Sequence, residues 1–124
     1  MTRFIEQPMM IEAADNKPKF IEEFIGGVNS ETKEVSIARM RSPGGWLEPG
    51  QTPEFGEYIV VLQGMLQVKT AKQIFQVHAG QALIVSAGEW VQYSTPSDEG
   101  AEYFAVCIPA FSRDKVHRDA SPDK

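Results

Sequence analysis

The fold class predicted by this 124-residue chain is all-β, a sandwich or barrel. Three observations carry that reading. Runs dense in β-branched and aromatic residues recur, the clearest being Glu57–Gln63 with Tyr58, Ile59, Val60, Val61 and Leu62. Glycines and prolines punctuate these runs at strand-length spacing. No long amphipathic helical pattern competes with them.

Taken in order, Met1 to Lys19 is mixed in character and holds Pro8 and Pro18, with a turn at Asp15-Asn16-Lys17-Pro18. Residues 1–19 are expected to form an N-terminal arm outside the core, laid on a partner subunit. An extended run, Lys19 to Ile25, ends at Gly26-Gly27, and Lys33 to Arg41 alternates apolar and polar residues before Pro43-Gly44-Gly45. Glu57–Gln63 is broken by Gly64. Met65–Thr70 and Gln73–Val77 form a hairpin about Ala71-Lys72. Gln81–Ser86 follows Gly80, Trp90–Thr95 follows Gly88, and Glu102–Ile108 stops at Pro109. The barrel is thus expected over 20–110, and the polar tail 111–124 is expected to hold one helical turn before fraying.

The length allows one core. Twelve basic residues against seventeen acidic give a formal charge of -5. That surface repels phosphate backbones, and no basic run with interleaved aromatics offsets it, so no nucleic-acid partner is expected. Cys107 is alone, which excludes an intramolecular disulfide and a four-cysteine zinc site. It lies in an apolar strand with no basic neighbour in sequence and reads as a buried, inert thiol. Ser86 and Ser94 have no histidine and acid in a recognisable triad. No apolar run is long enough to span a bilayer, so no membrane partner and a cytoplasmic location are expected.

Two glycine-framed segments carry a resemblance. The first is Gly45, Gln51-Thr52-Pro53, Glu57, Gly64; the second is Gly80, Ser86-Ala87-Gly88, Val91, Thr95. Their frames resemble the two motifs of the cupin superfamily, small double-stranded β-helix (jelly-roll) barrels. In cupins a His-x-His pair, a glutamate and a later histidine usually hold a metal. Here those positions are Gln51, Pro53, Glu57 and Val91, so the glutamate alone matches. The only histidines, His78 and His117, lie elsewhere and read as exposed. The chain is also similar, in lacking the histidines, to the cupin involved in ethanolamine utilisation.

Imidazole and carboxylate must converge from several positions to hold a first-row metal, and Val91 offers no lone pair. The expectation is therefore a metal-free barrel with no cofactor that binds a small polar metabolite about Glu57. The alternative is a metal enzyme with an oxygen-rich set, Gln51, Glu54 and Glu57. A further alternative is a non-catalytic dimeric sensor or structural module.

Residues two apart share a strand face, so an inward Glu57 takes Ile59 and Val61 with it, and an inward Val91 takes Tyr93 and Thr95. Glu57 and Tyr93 are the candidate catalytic pair. Gln51, Glu54, Arg41, Trp46 and Val91 are the candidate ligand-binding residues. Arg39 and Arg41 share a face that is either the inner one, bringing a guanidinium to Glu57, or an ordinary solvated one. A carboxylate in an apolar cavity needs a partner or takes a raised pKa, which suits acid–base chemistry such as isomerisation or epimerisation. The plain alternative is a Glu57 that bonds barrel backbone or water. Small cupins usually pair, and with the N-terminal arm this leads to an expected homodimer.

Overall fold

The computed structural model describes residues 1–120, and for residues 12 and 14 the backbone alone. Nine strands and one short helix follow in order: β1 (Met9–Ala14), β2 (Pro18–Ile25), β3 (Ser36–Ser42), β4 (Trp46–Leu47), β5 (Gly56–Thr70), β6 (Ile74–His78), β7 (Ala82–Val85), β8 (Val91–Thr95), β9 (Ala101–Ile108) and α1 (Arg113–Val116). The strands form a curled antiparallel sheet in the order β1-β2-β3-β9-β5-β8-β4, with β6 and β7 also paired to β5. This is the jelly-roll barrel expected from the sequence.

β5 runs through both halves of the barrel. Its first half pairs with β7 and β9, its second with β6 and β8. The sequence reading ended a strand at Gly64. The chain bends there without ending, because Gly64 takes φ +74° and the β5–β9 register shifts between Val61 and Gln63. A Cβ at Gly64 would lie 2.1 Å from the Gly100 carbonyl oxygen, so the two strands approach too closely for a side chain.

The N-terminal segment also departs from expectation. Its second half is β1, an edge strand paired with β2 from Met9↔Glu23 to Ala14↔Pro18 around the turn at 15–17. The alternation that makes β2 a strand leaves it an open edge, and the preceding segment of the same chain covers that edge.

The core lies between the two halves. Trp46, Ile59, Val61, Leu66, Val68, Val77, Val85, Val91, Tyr93, Ala101, Tyr103 and Ala105 form one buried cluster. Phe55, Cys107 and Val116 form a second at one end. Val116 belongs to α1, so the tail closes the barrel through residue 119. The backbone N–H groups of Thr52, Glu54 and Asp119 donate to His117, Lys115 and Gly50 at 3.1, 2.8 and 2.8 Å. Trp90 Nε1 donates to Asp119 Oδ2 at 2.8 Å. The helical turn is where the sequence places it; the expected fraying concerns in part residues 121–124, outside the described residues. Among the described residues no helix is long and apolar enough to cross a membrane.

Candidate functional site

A cavity of about 100 Å³ lies inside the barrel, several times what one buried water needs. Its lining is mixed. Ile21, Ala38, Met40, Ile59 and Ala105 give it apolar surface from β2, β3, β5 and β9. The same strands add Lys19, Glu23, Ser36, Glu57 and Tyr103, and Glu48, Gln51, Tyr93 and Arg118 complete the polar lining.

Strand alternation places Glu57. Tyr58, Val60 and Leu62 face out, while Glu57, Ile59 and Val61 are buried. β8 shows the same parity, with Val91, Tyr93 and Thr95 buried. The two strands bring Tyr93 Oη to donate to Glu57 Oε1 at 2.7 Å. Burial raises the Glu57 carboxyl pKa to about 7; the Tyr93 hydrogen bond opposes the rise, Glu48 adds to it, and Lys19 and Arg118 oppose it. The Tyr93 hydroxyl is pushed well above its ordinary range, first by burial and then by Glu57.

Gln51 lines the same cavity at 5% exposure, and its side-chain Oε1 has no hydrogen-bond partner. Its backbone is fixed by Val91: Gln51 N donates to Val91 O at 2.8 Å and Val91 N to Gln51 O at 2.9 Å. Val91 itself lies wholly in the core and does not line the cavity; its contribution is to hold Gln51 in place.

Three more of the expected ligand-binding residues, besides Val91, lie outside the cavity lining. Arg41 is on the outer face of β3 beside Phe20, because Ser36, Ala38 and Ser42 take the inward positions. Arg39 shares that outer face and pairs with Glu102 at 2.6 Å and Glu22 at 3.6 Å. Of the two readings of this pair, the solvated face is the one found. Glu54 points outward and pairs with His117 on the tail, whose hydrogen bond holds the carboxyl below its usual range. Trp46 is buried behind the site, with Nε1 donating to Asp15 Oδ2 at 3.0 Å. The Lys19 ammonium sits 4.7 Å above its ring.

With Glu54 outside, the oxygen set of Gln51, Glu54 and Glu57 does not converge. Pro53 and Val91 give no side-chain donor at the other two motif positions. Among the described residues no group of three or more histidine, cysteine, aspartate or glutamate side chains could hold a metal. The residues present therefore do not fit the metal centre usual in such barrels.

Other groups here were not expected from sequence. Lys19, at 5% exposure, meets Glu48 Oε2 at 3.4 Å. Burial is the largest single influence and works against its charge, but Glu48, Tyr103 and Asp15 together outweigh it and hold the ammonium above its ordinary pKa. Arg118 reaches the same Glu48 oxygen at 3.9 Å from the tail. Tyr103 bonds Ser42 at 3.3 Å, and burial raises its pKa. Cys107 lines the cavity beside Glu57, and burial pushes its thiol up, away from nucleophilic range. The signal for Lys19 was its parity with Ile21, but Phe20 and Phe24 compete for the inner face. Glu48 and Arg118 lie outside strands and gave none.

A family model described as an AraC-like ligand binding domain matches residues 47–124, more than half of the chain. Part of a Myxococcus xanthus protein named Endoribonuclease YbeY is 38% identical over 101 residues, 82% of this chain. The chain spans about a third of that curated relative's length, 34%. Among solved structures, oxalate decarboxylase from Bacillus subtilis is similar over 95% of this chain and 33% of its own, at TM-score 0.75 and 15% identity. A Thermotoga maritima protein described as a predicted oxalate decarboxylase is similar over 88% of this chain and 99% of its own, at 0.69 and 17%. The EutQ protein of Clostridium difficile is similar over 74% and 63%, at 0.62 and 17%. At these identities the structural likenesses speak to the fold. With the barrel, its two motif frames and the family match together, the chain belongs to the AraC-like ligand-binding domains, within the cupin superfamily.

Proposed function

We propose that this domain binds a small metabolite reversibly in the barrel cavity, without a metal, and that Glu57, Tyr93 and Gln51 recognise its polar end. The observation that carries the reading is the Gln51 carboxamide oxygen, buried and unpartnered at the cavity beside the Tyr93–Glu57 pair. A buried polar group left without a partner is costly, and a ligand that supplies one relieves that cost. A recessed, largely apolar site with a few convergent polar groups is the usual form of a small-molecule site. The endoribonuclease in the relative's name belongs to a protein of which this chain matches about a third. For this chain we propose the ligand-binding part of such an assembly and no nucleic-acid contact.

The test is a thermal-shift screen of small polar metabolites on the native chain and on Glu57→Gln. At least one compound should raise the native Tm and fail to raise that of the variant. An equal shift in both would remove Glu57 from recognition. Elemental analysis of untagged protein, purified without chelators, checks the metal-free reading; near-stoichiometric metal that is lost in Glu57→Gln would overturn it.

A second reading, acid–base turnover of the ligand, is favoured by one feature: a carboxyl with a pKa of about 7 held by a tyrosine hydroxyl. It predicts exchange of a carbon-bound proton with deuterated solvent, abolished in Glu57→Gln.

We also propose that the domain pairs with a second copy, through the outer sheet face and not through its N-terminal segment. Tyr58, Val60 and Leu62 on β5 lie exposed beside Ile84 of β7 and Phe104 and Val106 of β9. Together these side chains make one contiguous apolar patch across three strands, the kind of surface that marks an interaction site. It carries no charge at its centre, so placing it against itself opposes no like charges.

A further inference from the structure

The charges that line the cavity do not balance. Glu23, Glu48 and Glu57 are buried, and all three line it. Among the described residues, Lys19 is the one buried cation of the lining; Arg118 is partly exposed, and solvent screens it. Both cations lie against Glu48, at 3.4 and 3.9 Å. Glu23 Oε2 accepts from the backbone N–H groups of Val28 and Asn29 at 2.9 and 2.8 Å. Glu57 has the Tyr93 hydroxyl, on Oε1. Among the described residues no lysine or arginine nitrogen lies within 4 Å of Glu57. Its carboxyl pKa of about 7 agrees: burial is the largest influence, and Lys19 and Arg118 oppose it too weakly to cancel it. The positive charge that the lining lacks belongs beside Glu57.

A second acceptor is short of a donor. Gln51 Oε1 is buried and unpartnered, and Gln51 lines the same cavity. Strand register supplies the apolar part. Glu57, Cys107 and Ser36 form one row across β5, β9 and β3. Two residues along each strand, Ile59, Ala105 and Ala38 form the next row on the same face, roughly 7 Å away. A carboxylate or phosphate ligand would add negative charge beside Glu57. A sugar would bring donors but set hydroxyls on Ile59, Ala105 and Ala38. An alkylammonium, like the lysine head group, has three N–H donors, no acceptor and a positive charge, and it carries a hydrocarbon chain.

Resting on the reading of this cavity as a ligand site, we propose that its ligand is a small primary amine in the protonated form, the ammonium donating to Glu57 and Gln51 and the carbon chain lying along Ile59, Ala105 and Ala38. Lys19 is paired with Glu48, which offsets its repulsion of a second cation.

Titration calorimetry on the full chain at neutral pH tests this with matched probes. Propyl-, butyl- and pentylammonium chloride are set against the corresponding primary alcohols, with ammonium chloride and potassium chloride as bare cations. One of the amines should bind at least tenfold more tightly than its own alcohol and than either bare cation. Glu57→Gln keeps the shape, removes the charge and should reduce that affinity at least tenfold. Gln51→Leu removes the second acceptor and should reduce it as well; it decides alone if Glu57→Gln fails to fold, since the backbone at Gln51 is held by Val91. Alcohols that bind as well as the amines would overturn the charge assigned to the ligand. Bare cations that bind as well would overturn its carbon chain. An amine that binds equally to native protein and Glu57→Gln overturns the proposed seat. Binding by none of the amines overturns the inference, and the metabolite screen on Glu57→Gln then decides the underlying reading. A compound without an amino group that raises the native Tm and not the variant's would leave the cavity as the ligand site with the wrong ligand class.

Discussion

Glu57 is half ionised near neutral pH because burial and its hydrogen bond pull in opposite directions. Its carboxyl titrates at about 7 in the fold against 4.5 when unperturbed. Below pH 4.5 both folded and unfolded chains hold the proton, and Glu57 costs nothing. Above it the unfolded chain releases the proton first, so stability falls with rising pH until the folded carboxyl has also ionised, just above 7. The loss amounts to about 3 kcal/mol. Urea melts of native protein and Glu57→Gln should therefore diverge between pH 4.5 and 7.5, the variant losing less stability across that window. Parallel curves would mean that Glu57 ionises freely. Tyr93→Phe removes the bond that favours the ionised form, so the decline in its stability should extend to higher pH than in the native protein. The parity of Glu57 and Tyr93 was legible, since alternation along two strong strands fixes which side chains face in. Their contact was not, because it depends on β5 bending so that its first half, with Glu57, comes to face β8, which pairs with its second half. Glu54 misled for a related reason: it precedes the strand, where period-two alternation does not apply, and its partner His117 is 63 residues away.

β5 shows how a single glycine carries an element past a bend. A strand of fifteen residues serves both halves of the barrel only if it turns midway, and Gly64 is where the left-handed backbone and the contact with Gly100 coincide. Gly64→Ala should cost at least ~2 kcal/mol, from the left-handed conformation and from displacing the Gly100 carbonyl. Gly80→Ala is the control: φ is +85° there, but no atom lies within 4 Å of the added Cβ, so the cost should be confined to the conformational part. Equal midpoints for the two variants in chemical denaturation would show that the close approach does not matter. The sequence signals a glycine interruption here, and an interruption reads equally as a stop or a bend. Pairing decides between them, and pairing is set by β6, β7, β8 and β9, which follow later in the chain.

At the scale of the whole molecule, the barrel was legible because its evidence is local: runs of strand formers and two framed motifs. The polar lining added by Lys19, Glu48 and Arg118 was not, because these residues come from β2, a loop and the tail, and neither strand periodicity nor motif spacing links them. The outer face is a global property too. Ile84 lies opposite Tyr58, Val106 opposite Tyr58 on the other side, and Val60 opposite Phe104, so residues up to 48 positions apart make one surface. Ile84 is 70% exposed and Val60 47%, in positions where a solvated strand would ordinarily carry polar side chains. Removal of these side chains from water is worth roughly 25 cal/mol per Å², which favours pairing. Light scattering on the native chain should give the mass of two copies at micromolar concentration. Ile84→Glu and Val60→Glu should each give one, with unchanged strand content, since both side chains already point to solvent. Deleting residues 1–8 should leave the pair intact, because β1 begins at Met9 and belongs to its own sheet. A native chain that runs as a single copy, or charged variants that still pair, would show that this face serves another purpose. A deletion variant that falls apart would return the pairing role to the N-terminal segment.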